Sequence, residues 1–72
     1  MTVSLDQQIQ EVERELVMRK RVYPHQVMSG KMRRSVADFH MERMEAVLQT
    51  LKDLAILKAL KNMGDVQHPS WP

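Results

Sequence analysis

Seventy-two residues with no cysteine, eleven Lys/Arg against nine Asp/Glu and a formal net charge of +2 leave room for one domain at most. They exclude a disulfide framework and a thiolate metal site. So short a chain buries little and is marginal alone, which leaves oligomerisation as the common route to stability.

Met, Leu, Glu, Lys, Arg and Gln are abundant and only two Gly interrupt them, a composition that predicts an all-α protein. The first residues, Met1-Thr2-Val3-Ser4-Leu5-Asp6, have neither the basic start nor the apolar run of an export signal. No stretch approaches ~18 consecutive apolar residues. A cytoplasmic protein without a membrane partner is therefore expected.

Ser4 followed by Gln7 has capping-box spacing and predicts a helix start. Leu5, Ile9, Val12 and Leu16 recur at helical steps and form one stripe, which continues to Arg19 and Tyr23. Acidic residues come early in this segment and Arg19, Lys20 and Arg21 late, an order that suits the helix dipole. Pro24 disfavours helical geometry at Tyr23, so the first helix is expected to stop there, after about 18 residues or roughly 27 Å.

The second helix is expected to start near Arg33 or Arg34, after Gly30, with a stripe of Ala37, Met41, Met44, Leu48, Leu51 and Ala55. It should run to about Met63 and stop at Gly64, a natural residue just past a helix end. The tail 65–72, with two prolines and Trp71, reads as extended or disordered. The fold class is thus a two-helix antiparallel hairpin over 1–64, a short helix 1 and a long helix 2, followed by the tail. A second helix of about 30 residues spans roughly 45 Å and outruns the first. Its end, including Leu54, Ile56, Leu57 and Leu60, is apolar nearly all round and must be buried. Another copy of the chain is the simplest partner, and these four residues are the expected oligomer interface.

The densest chemistry lies in 19–34, which holds six of the eleven Lys/Arg and none of the nine acids. The remainder carries five positive charges against nine negative. A concentrated cationic elbow with an aromatic inside it suits an anionic ligand. Arg19, Arg21, Lys31, Arg33 and Arg34 would supply charge, and Tyr23 a stacking face for a base. A solvated charge run at a turn, with Tyr23 capping the hairpin core, is the plainer alternative. Ser29-Gly30-Lys31 lacks the upstream Gly, the following Ser/Thr and the strand of a phosphate loop. Gly30 either admits an anion beside the start of helix 2 or supplies the positive φ of the turn. His25, His40 and His68 lack metal-ligand spacing. The five Met of 28–63 suit an adaptable core or a promiscuous groove. Nothing points to catalysis, a metal or a cofactor.

A basic residue before Val22-Tyr23-Pro24, then Val27, Gly30-Lys31-Met32, Ala37-Asp38 and Met44-Glu45-Ala46-Val47-Leu48, Thr50-Leu51 resemble a widespread group of small helical phage and prophage proteins. The resemblance covers roughly residues 7–54. It departs at His25-Gln26, where Arg-Trp is frequent in the group, and at Arg33, where a capping Thr or Ser is frequent. Small accessory phage proteins act against the bacterial host, and two functions are implied by that context. The first is a counter-defence sponge, a homo-oligomer that sequesters an anionic cyclic-nucleotide second messenger without turnover. The second is an inhibitor that binds and blocks a host defence or regulatory protein. Nucleic-acid binding ranks last, because acids cover the remaining surface.

Overall fold

The computed structural model describes residues 2–67. It is an antiparallel hairpin of two helices, α1 (Leu5–Met28) and α2 (Arg34–Gln67), in contact with each other. The radius of gyration is 18.3 Å, against about 11 Å for a globule of this length. Two helices side by side make one seam and no second layer.

At the start of α1, the Ser4 hydroxyl accepts from the Gln7 N–H at 3.1 Å and the Gln7 side chain accepts from the Ser4 N–H at 3.0 Å. This is the expected capping box. The two stripes expected from periodicity form the seam. Leu5, Ile9, Val12, Arg19 and Tyr23 on α1 are half-buried, as are Met41, Met44, Leu48, Leu51 and Ala55 on α2. Among the described residues only Leu16 and Ala37 are buried.

The α2 start at Arg34 is as expected, whereas both helix C-termini differ from expectation. Pro24 lies inside α1, which continues to Met28. The proline removes one backbone donor, but half-buried Gln26 and Val27 carry the helix on. Its end is then closed by a cap that satisfies the last carbonyls. Gly30 has φ +77°, its N–H donates to the Val27 carbonyl at 3.2 Å, and the Lys31 N–H donates to Gln26 at 2.9 Å. That is a Schellman cap with glycine at the left-handed position. Likewise α2 passes Gly64 and ends at Gln67. Glycine within a helix costs about 1 kcal/mol relative to alanine, too little to stop a long helix by itself. The helices therefore number 24 and 34 residues, longer than the 18 and 30 expected, with α2 still the longer. The remainder of the expected tail, including Trp71, lies outside the described residues.

Glu13 and Lys52 mark the register, with carboxylate and ammonium 3.8 Å apart across the seam. Equal steps from this pair set Leu5 opposite Leu60. The segment Leu54–Leu60 therefore runs beside the first turns of α1 rather than wholly beyond them. It stays exposed because α1 covers one side of a helix that is apolar on several.

Candidate functional site

A helix turns about 100° per residue, so neighbouring basic residues of α1 point apart. The structure divides the expected cationic cluster into two concavities. One is an open groove of about 450 Å³ at the elbow end of the seam, with Arg19, Lys20, Tyr23 and Pro24 on the α1 side and Arg34, Ala37 and Asp38 on the α2 side. The other, on the outer side of α1, is lined by Arg21, Val22, His25, Gln26, Ser29 and Lys31. Of the six expected ligand residues, the groove brings together Arg19, Tyr23 and Arg34. Arg21 and Lys31 share the outer concavity. Arg33 lines neither; its carbonyl accepts from the N–H groups of Val36 and Ala37, both at 3.1 Å, as the first residue of the α2 cap.

Within the groove the charges differ in availability. Arg19 is half-buried and forms an ion pair with Glu15 one turn earlier, while also donating to the Glu15 carbonyl at 3.3 Å. The Glu15 carboxylate first, then the Tyr23 phenol, raise the Arg19 pKa above its ordinary value. Arg19 therefore stays charged at any accessible pH, but its charge is already answered. Lys20 and Arg34 form no ion pair among the described residues; nor do Arg21, Lys31 and Arg33. Asp38 contributes one negative charge to the groove wall.

Arg34 also stands in the first turn of α2, which contains no acidic residue. A cation there faces the positive end of the helix dipole, an arrangement that costs a few tenths to about 1 kcal/mol when nothing offsets it. The N–H groups of Lys31 and Met32 both donate to the Gln26 carbonyl, so the cap of α1 occupies them. Gly30 serves the turn: its open surroundings leave backbone conformation as its role. The Lys31 and Met32 N–H groups are thus spent on the turn.

Tyr23 is half-buried and lines the groove, so it belongs to the seam stripe and to the groove alike. Lys20, Pro24 and Asp38 were absent from the residues expected at the site. The signal for Lys20 and Pro24 lay in the steps of one and four that separate them from Arg19 and Lys20. Asp38 is one turn after Arg34.

The expected interface residues Leu54, Ile56, Leu57 and Leu60 are 45%, 58%, 63% and 57% exposed. Met28, at the tip of α1 beside the groove, is 88% exposed. On α2 the exposed Phe39 ring carries the Arg43 guanidinium at 4.0 Å from its centroid, with the His40 ring edge-on at 5.6 Å. Among the described residues no helix is long and apolar enough to cross a membrane, and no three His, Asp or Glu groups gather as metal ligands would. No protein-family model, curated protein or solved structure matches the chain.

Proposed function

We propose that the protein is a non-catalytic, homo-oligomeric binder that sequesters an anionic nucleotide signal at its elbow, acting as a phage counter-defence protein in the bacterial cytoplasm. The observation that carries this reading is the elbow groove. Lys20 and Arg34, two cations without an ion-pair partner among the described residues, flank a tyrosine ring in a volume of about 450 Å³. Ligand pockets fall at roughly 300–1,000 Å³, so a nucleotide is of suitable size. Lys20 and Arg34 would meet phosphate, Tyr23 would stack on a base, and Arg19, held by Glu15, would orient the tyrosine. Arg21 and Lys31 on the outer side, with Arg33 at the cap, add to the positive field that draws an anion in.

The self-association part of the proposal rests on the shortage of core. Among the described residues two are buried, too few for a stable monomer, and thirteen large apolar side chains remain exposed.

A second reading is a stoichiometric inhibitor of a host defence or regulatory protein. The exposure of Met28 and the Arg43–Phe39 stack favour it, since Met, Arg and aromatic residues are enriched where proteins meet. Native mass spectrometry of protein purified from bacteria separates the two. A retained nucleotide on an oligomer supports the first reading, and a co-purifying host protein with no nucleotide supports the second.

A further inference from the structure

The outer side of α2 carries a line of side chains that faces neither α1 nor the elbow groove. Val36, Phe39, Val47, Leu54 and Leu57 are between 40% and 63% exposed. Helical geometry puts them roughly 115° around α2 from the seam. Arg43, Ala46 and Thr50, exposed as well, complete the line. Its aromatic and its arginine are stacked on each other, the combination found at the energetic centres of interfaces.

The line reads the same in both directions. Inward from Val36 come steps of three and four, to Phe39 and Arg43; inward from Leu57 come steps of three and four, to Leu54 and Thr50. Ala46 and Val47 occupy the middle. Laid antiparallel on itself, Val36 meets the partner's Leu57, Phe39 meets the partner's Leu54, and Arg43 meets the partner's Thr50. Apolar ends match apolar ends, polar positions match each other, and the small central pair lets the helices approach. Such self-complementarity is what a two-fold interface requires.

Charge selects the same direction. A parallel pairing would set Arg43 against the partner's Arg43 and bring two elbows together. The tip of each elbow carries Lys31, Arg33 and Arg34 without ion-pair partners among the described residues. The antiparallel pairing separates these tips by roughly 30 Å, the length of the strip, well beyond the screening length of about 8 Å at physiological salt. It also opposes the two helix dipoles. With α1 more than a right angle away around α2, four helices fit without displacing the seam.

We infer that a second copy of this chain docks antiparallel on the strip Val36–Leu57, making a two-fold, four-helix dimer with the elbows at opposite ends. The inference rests on the homo-oligomer reading above and relocates its interface. Leu54 and Leu57 belong to it, whereas Ile56 and Leu60 point to other sides of α2.

The absence of cysteine makes single-cysteine cross-linking clean. Val36→Cys and Leu57→Cys chains are prepared separately, checked for native helicity by circular dichroism, mixed, and oxidised. A dimer linked between the two different variants, with each variant alone remaining mostly unlinked, is the expected result. Efficient linking of either variant alone means a parallel pairing and overturns the inference. An oligomer by light scattering that links only through Ile56→Cys or Leu60→Cys also overturns it, while sparing the homo-oligomer reading. A monomer by light scattering at high concentration overturns both.

Discussion

The Glu13 carboxylate and the Lys52 ammonium group lie 3.8 Å apart across the seam of the hairpin. Both side chains are about half exposed, 49% and 47% respectively, and exposed pairs of this kind contribute about 0–1 kcal/mol. The pair marks the register more than it holds it. Stability resides in the apolar stripes on either side.

That division predicts two different responses. Replacing Lys52 by Ala should change the free energy of unfolding by less than about 1 kcal/mol. Leu16→Ala should cost about 2–3 kcal/mol, the low end for a buried leucine, because a seam near the surface relaxes into part of the space. Val17→Ala, at an exposed neighbouring position, should fall within about 0.5 kcal/mol of wild type. Urea titrations at one protein concentration compare the three.

Gly30 should be the most demanding position of the turn. Its φ of +77° is one that other residues adopt at a cost of roughly 1–2 kcal/mol. A side chain there would meet nothing within 4 Å, so the penalty is conformational and not steric. Gly30→Ala should therefore lower the melting temperature, and Gly30→Asn should recover part of the loss, since asparagine tolerates the left-handed region. Equal melting temperatures for all three would show that the Schellman cap does not form.

Pro24 invites the opposite test. Within a helix, proline forgoes a hydrogen bond and crowds the preceding turn, at a cost of about 3 kcal/mol. Pro24→Ala should restore a donor for the Lys20 carbonyl and raise the unfolding temperature. It should also remove one wall of the elbow groove. A variant that is more stable yet captures less ligand would mark Pro24 as retained for the groove.

The seam and the two helix starts were legible in the sequence, and the two helix C-termini were not. Apolar spacing from Leu5 to Tyr23 and from Ala37 to Ala55 names residues that are all buried or half-buried, because the helical period dictates which side chains share a face. Pro24 and Gly64 are local signals of modest strength. Each was outweighed by cooperative helix on both sides and, for Pro24, by half-buried Gln26 and Val27 and the cap at Gly30. The elbow was legible as a charge cluster but not as a site. Adjacency of Arg19, Lys20 and Arg21 in the chain becomes divergence on the helix, and the Arg19–Glu15 pair depends on side-chain conformations that composition does not reveal. The second apolar line on α2 was hidden by the polar Arg43 and Thr50 within it.

Assembly should depend on the exposed leucines of α2. Leu57→Glu together with Leu60→Glu should shift the protein towards monomer in light scattering, because charge is expensive in a buried contact. Most of the effect should come from Leu57, which lies on the antiparallel strip, and little from Leu60, which does not. Helicity should fall with dissociation, since among its described residues the lone hairpin buries only Leu16 and Ala37.

The elbow supplies the test of function. Calorimetry with cyclic di- and trinucleotides should show binding that weakens as salt rises, because phosphate contacts are electrostatic. The two concavities separate the contributions. Lys20→Ala and Arg34→Ala, in the groove with Tyr23, should cost more than Arg21→Ala and Lys31→Ala on the outer side. A larger loss from the outer pair would move the site to that side. Tyr23→Ala should cost about 1–3 kcal/mol of binding if a base stacks on the ring. Since the ring is half-buried in the seam, that variant is paired with Tyr23→Phe, which keeps the stacking face and removes the hydroxyl beside Arg19. Retained affinity in the phenylalanine variant with loss in the alanine variant, both folded by circular dichroism, assigns the tyrosine to the ligand. Unfolding of Tyr23→Ala without loss of affinity per folded molecule assigns it to the core. Failure of every nucleotide in the panel, together with a host protein that co-purifies and is released by changes at Met28 or Arg43, would replace the sponge by the inhibitor.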